Sequence, residues 1–219
     1  MLKLYGFAVS NYFNMVKYAL ELKGIEHEVV TLYPNQEEAF LQKSPMGKVP
    51  VLETDKGCLV ETNVILEFLD ESYGGHALYP QDVFARARVK ELIKIMELYL
   101  ELPARRCFAE AFFGAKVSDE IKQEVKTTMQ KGIKALAAVA SFSPYLAGNT
   151  LTAADIVFLY SVDLASTVAA KLFDLDLLAD LPQAKDLLKK LAQEPIAIAI
   201  AKARDEQSPA FYRYVSGRQ

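Results

Sequence analysis

Apolar positions alternate at the start of the chain and then fall into a helical rhythm. "LKLYG" (residues 2–6) reads as a short strand closed by glycine. "YFNMVKYALELKG" (12–24) sets Met15, Val16, Ala19 and Leu20 at helical spacing, with Gly24 placed to end the helix. "IEHEVVTLY" (25–33) alternates as a second strand, so a β-α-β unit with parallel strands and a right-handed crossover is predicted. "NQEEAFLQKS" (35–44) reads as a short polar helix. Two apolar runs, "VPVLE" and "CLV", joined by "TDKG", form a hairpin pattern over 49–60. "TNVILEFLDESYG" (62–74) follows as a helix whose expected apolar face is Val64, Ile65, Phe68 and Leu69. The order β-α-β-α-β-β-α fills residues 1–75, an α/β domain.

Residues 76–82 fall in a turn-rich break, "YGGHALYPQD", and read as a linker. Beyond it the strand pattern stops, and residues 83–219 read as an all-α domain. Residues 83–115 and 118–142 carry long amphipathic patterns, the first expected to kink at Pro103. "TAADIVFLYSVDLASTVAAKLF" (152–173) is apolar on nearly every side, which puts it at the centre of the domain. Two further helices are expected from Pro182 and Pro195, each with proline in its first turn. Thr152 and Asp155 have the spacing of a capping box, which makes Asp155 a structural carboxylate rather than a catalytic acid.

Composition narrows the chemistry. The formal net charge is −3 over 219 residues, with basic side chains scattered among acidic ones, so neither nucleic acid nor an anionic membrane is an expected partner. Cys58 and Cys107 are too few for a disulfide framework and lack metal-ligand spacing. His27 and His76 are the only histidines, and no metal site is expected. His27, at an alternate strand position, reads as a surface residue. The N-terminal stretch lacks the basic-then-apolar pattern of a signal peptide, and no uninterrupted apolar run reaches the ~18 residues of a membrane span. A cytoplasmic protein is the expectation.

Pro50 stands at the mouth of a strand, where it fits either as a trans residue at a strand start or as a cis one. A cis bond would leave the Val49 N–H and C=O free to pair with an extended peptide-like ligand. Around it, "SPMGKVPVLETDKGCLVETNVILEFL" (44–69) resembles the glutathione-binding segment of the glutathione S-transferase superfamily, and "YLAGNTLTAADI" (145–156) resembles that family's second hallmark. The resemblance covers nearly the whole chain and implies a thioredoxin-like N-terminal domain followed by a helical bundle. It also implies that Pro50 is cis, that Val49 pairs with the cysteinyl part of glutathione, and that Glu61 and Thr62 hold its γ-glutamyl end. Lys48 would meet the glycyl carboxylate. Thr62 stands where serine is usual, and Ser44 where asparagine is common.

A transferase must also favour the thiolate of its co-substrate, and a hydroxyl or amide at a helix N-terminus suits that task. Ser10, Asn11 and Tyr12 open the first helix and are the candidates, although Ser10 would look the same as a simple N-cap. The family implies attack on a small hydrophobic electrophile by a homodimer. Two alternatives stay open: a glutathione-dependent peroxidase or disulfide reductase, and a non-catalytic member of the fold that binds a partner such as RNA polymerase.

Overall fold

A computed structural model describes residues 1–217. Strand β1 (Leu2–Gly6) buries Leu2, Leu4 and Gly6 on alternate positions and pairs in parallel with β2 (His27–Thr31). Helix α1 (Asn11–Leu22) makes the crossover between them. Its face of Phe13, Met15, Val16, Ala19 and Leu20 is buried, and it stops at Lys23 followed by Gly24, whose φ of +65° suits the left-handed position after a helix. After the four-residue α2 (Glu38–Leu41), β3 (Val51–Thr54) and β4 (Gly57–Val60) form the hairpin. The sheet runs β2-β1-β3-β4, with β3 antiparallel to β1. Helix α3 (Thr62–Ser72) completes the thioredoxin-like order.

The apolar face of α3 differs from the sequence pattern in one respect. Ile65, Leu66 and Leu69 are fully buried, while Val64 is 51% exposed. Residues 64 and 66 lie about 200° apart on a helix, so a face centred on Ile65 and Leu69 can take only one of them. A buried ion pair joins the ends of α1 and α3. The Lys23 ammonium lies 3.3 Å from Asp70 and donates to the His76 carbonyl at 2.9 Å, while Asp70 also accepts the Leu78 N–H at 2.7 Å.

The chain divides into two compact units, Met1–Leu78 together with the segment beginning at Gln193, and Tyr79–Ala192. Helix α10 (Pro195–Ser216) therefore packs with the sheet unit, against α1, although the sequence pattern groups it with the helical half.

In the helical unit, α4 (Val83–Met96) runs into a π-helical turn (Glu97–Glu101) before the short α5 (Leu102–Arg105) and α6 (Phe108–Phe113). The single kinked helix expected around Pro103 is thus several pieces. Pro103 has no N–H to offer the carbonyl of Tyr99 one turn back. The same carbonyl faces Gly132 of α7 (Asp119–Val139), where a Cβ would lie only 2.7 Å from it. Helix α8 (Ala153–Phe173) is long and apolar enough to suit a membrane span by length and composition, and it buries Ile156, Phe158, Val162, Ala165 and Val168 in the core of this unit. Its N-terminus carries the expected capping box: Asp155 accepts the N–H of Thr152 and that of Leu146, each at 2.8 Å, and the Thr152 hydroxyl at 2.9 Å. The unit ends with α9 (Pro182–Ala192).

Candidate active site

The sheet register gathers one end of the first unit into a site. Tyr5 of β1 is opposite Val51, and Val51 is opposite Val60. The chain leaving β1, the chain entering β3 and the chain leaving β4 therefore emerge at the same end. Those three segments carry Ser10–Tyr12, Lys48–Pro50 and Glu61–Thr62.

Ser10 is the N-cap of α1. Its Oγ accepts the Phe13 N–H at 3.3 Å, and its backbone is extended at φ −82°, ψ 117°. The cap takes one lone pair of the hydroxyl and leaves its proton free to be given elsewhere. Asn11 and Tyr12 follow as the first helical residues, both half-buried. The Thr62 hydroxyl lies 3.5 Å from the Tyr12 carbonyl, at the limit of a hydrogen bond, so the starts of α1 and α3 adjoin. Thr62 itself is 7% exposed.

The turn before β3 is built to hold the backbone of residues 48–50. Ser44 is buried; its Oγ donates to the Lys48 carbonyl at 2.8 Å and accepts the Lys48 N–H at 3.0 Å. Gly47 has φ +62° and lies so close to Asn35 that a Cβ would sit 2.1 Å from its carbonyl oxygen, so only glycine fits. The Val49–Pro50 bond is cis, and the sheet ladder begins one residue later at Val51, which leaves Val49 outside it. The Lys48 side chain is exposed.

Glu61 precedes α3 at φ +67°, ψ 115°, a backbone conformation that costs a non-glycine residue on the order of 1–3 kcal/mol. Its side chain is exposed and makes no cap bond, and the helix's first backbone bond is from the Ile65 N–H to the Glu61 carbonyl. The first turn of α3 therefore presents N–H groups and the positive end of the helix dipole beside an exposed carboxylate.

Three residues outside this end behave otherwise than their types suggest. The ring of His27 is 6% exposed, not at the surface: Nδ1 lies 2.8 Å from the Ile25 carbonyl and Nε2 lies 3.0 Å from the Lys17 ammonium. A carbonyl can only accept and an ammonium can only donate, which puts the proton on Nδ1. Burial pushes the thiols of Cys58 and Cys107 above the ordinary cysteine range, so neither is poised as a thiolate.

Sequence reasoning missed two supports of the site. Ser44 was visible only as a substitute for asparagine, and its double bond to Lys48 is a property of the folded turn. Gln207 of α10 accepts the Ala8 N–H at 3.1 Å, and Phe211 stacks on Phe7 with ring centroids 5.0 Å apart. These contacts brace the loop leading to Ser10, and nothing local in the sequence signals them.

The chain matches the N-terminal domain of glutathione S-transferase over residues 4–77 and the C-terminal domain of glutathione S-transferase over residues 104–202. A glutathione S-transferase of Pseudomonas putida (strain F1) is 48% identical over the full length of both chains. These matches show that the chain belongs to the glutathione S-transferase family. Among solved structures, maleylacetoacetate isomerase from Methylobacterium extorquens AM1, crystallised with malonate and GSH bound, is 26% identical with a TM-score of 0.70, over 92% of this chain and 95% of that one. Glutathione transferase F7 of Populus trichocarpa shares the fold, with a TM-score of 0.76 at 21% identity over 93% of this chain and 99% of that one.

Proposed function

We propose that the chain is a glutathione transferase that takes glutathione as co-substrate and joins its sulfur to a small electrophile. The observation that carries this reading is the convergence, at one end of the sheet, of a capping hydroxyl, an unpaired strand-mouth backbone and an open helix N-terminus beside a carboxylate. Each matches one part of glutathione. The N–H groups of α3 and the Thr62 hydroxyl suit the α-carboxylate of the γ-glutamyl end, while Glu61 suits its ammonium. The backbone of Val49, beside Pro50, suits the cysteinyl amide, and Lys48 suits the glycyl carboxylate.

The thiol loses its proton to solvent, and the thiolate sulfur bonds to the electrophilic carbon as the leaving group departs with its electron pair. Free thiols titrate near ~8.5, and each pKa unit of thiolate stabilisation corresponds to about 1.4 kcal/mol. Ser10 is the residue we assign to that stabilisation, with Asn11 and Tyr12 next to it at the helix start. The likeness to an isomerase supports a second reaction at the same site, in which glutathione adds to an unsaturated acid and leaves again unchanged.

Calorimetric titration with glutathione tests the reading. Wild-type protein is expected to bind, and Glu61→Ala to weaken binding by tenfold or more, since charge-assisted hydrogen bonds contribute about 1.5–3 kcal/mol. Folded wild-type protein that takes up no glutathione would overturn the proposal. Whether glutathione is consumed or recovered after turnover separates conjugation from isomerisation.

A further inference from the structure

The two peptide units that flank the Ala8 Cα are each held by an amide side chain from a helix. The Ala8 N–H donates to Gln207 Oε1 of α10 at 3.1 Å, and the Ala8 carbonyl accepts from Asn14 Nδ2 of α1 at 2.9 Å. Ala8 is a central residue of the turn that carries the chain from β1 into α1, closed by the Ser10 N–H on the Phe7 carbonyl at 3.0 Å. With both peptide planes held, neither φ nor ψ of Ala8 can turn without breaking a bond. Ser10 lies two residues on.

Asn14 ties down the far side of Ser10 as well. Its backbone N–H donates to the Ser10 carbonyl at 3.0 Å, while its side chain reaches back past that residue to Ala8. Asn14 is 2% exposed, and its Oδ1 is buried with no hydrogen-bond partner among the described residues. Stranding an acceptor is unfavourable, and a leucine of similar size would avoid it. What the amide adds over leucine is its N–H, which the Ala8 carbonyl accepts.

We infer that Asn14 and Gln207 are positioning residues for Ser10, fixing the turn before it so that its hydroxyl proton is aimed at the glutathione sulfur. The inference rests on the assignment of Ser10 to the thiolate. Both side chains act through Ala8, and neither is assigned a contact with glutathione. The cap bond from Phe13 to the Ser10 Oγ is long at 3.3 Å, so the place of the hydroxyl depends on the turn that delivers it. A hydrogen bond weakens steeply when misaligned, so a relaxed turn lowers thiolate stabilisation while the glutathione site stays open.

The test reads the pKa of the bound glutathione thiol, from the ultraviolet absorbance of the thiolate, in wild type, Asn14→Leu, Gln207→Met and Gln207→Glu. Leucine removes the donor and methionine the acceptor at similar volume, whereas glutamate keeps an acceptor for the Ala8 N–H. The bound thiol pKa is expected to rise by about one unit in Asn14→Leu and in Gln207→Met, lowering the rate near neutral pH by up to about tenfold. Gln207→Glu is expected to restore the wild-type value. Glutathione affinity at mildly acidic pH, where the sulfur is protonated, should not change. In a Ser10→Ala background, Gln207→Met should move the pKa no further, because the hydroxyl it aims is gone. A purely structural role would lower the melting temperature and leave the bound thiol pKa in place. Gln207 is only half-buried, so Gln207→Met serves should Asn14→Leu fail to fold. An unmoved pKa in Gln207→Met, the same rise in Gln207→Glu, or a further rise in the Ser10→Ala background would overturn the inference and leave the glutathione reading intact. Wild-type protein that binds no glutathione would overturn both.

Discussion

A hydroxyl has one proton to give and two lone pairs to offer, and Ser10 spends a lone pair on capping α1. The two readings of this residue in the sequence, cap and thiol ligand, are therefore compatible. They separate by substitution. Ser10→Ala should lower conjugation rates about tenfold or more and stability by about 1 kcal/mol, with glutathione affinity nearly unchanged. Ser10→Asp keeps a good cap but brings a negative charge and no proton at neutral pH, so stability should hold while the rate falls. A full rate in Ser10→Ala would move the role to Asn11 or Tyr12. Glu61 invites a second experiment, because its φ of +67° is natural only to glycine. Glu61→Gly should raise stability by about 1 kcal/mol in denaturant titrations and weaken glutathione binding at the same time. At this scale the sequence showed what its motifs name: Pro50, Glu61, Thr62 and the serine at the helix start. It could not show Ser44 clasping Lys48 or the buried ring of His27, since those depend on which way a turn folds back.

Among elements, α8 makes the sharpest demand. Asp155 holds two buried backbone N–H groups and a hydroxyl, and Asp155→Ala strands them together. The expected loss is on the order of 3 kcal/mol in thermal or denaturant unfolding. Burial raises the Asp155 pKa above the ordinary aspartate value, against the pull of its hydrogen bonds. The native state then holds this proton more tightly than the unfolded chain. Stability carried by the group is complete below the unfolded pKa of ~3.9 and declines as pH rises through the raised native value. The margin of wild type over Asp155→Asn should narrow across that window in melting curves recorded at several pH values. The box itself was plain from Thr152 and Asp155, and so was the buried face of α1, because both are local patterns. The π turn before Pro103 was not, since it depends on how α7 approaches at Gly132. Nor could periodicity decide between Val64 and Leu66.

At the scale of the molecule, the order of strands and helices follows from the sequence, but the membership of α10 does not. Its apolar residues suit any groove, and only the folded chain sets Phe211 on Phe7 and Gln207 on the Ala8 N–H, 199 residues apart. Removing that brace should be felt at the other end of the chain. Phe211→Ala is expected to cost about 1–2 kcal/mol, since Phe211 is only half-buried, and to speed hydrogen exchange at the Ala8 amide. Unchanged exchange there would show that the loop before Ser10 holds its shape unaided.

The same helix sets a timetable for the newborn chain. Residues Tyr79–Ala192 leave the ribosome between the two segments that make one unit. At about 5–20 residues per second, the nascent sheet waits on the order of 6–20 s for the helix that covers α1. During that interval the interior unit can finish first, reversing the usual order in which N-terminal structure matures before C-terminal structure. Released chains truncated near residue 193 should resist protease within Tyr79–Ala192 while α1 is still open to cleavage.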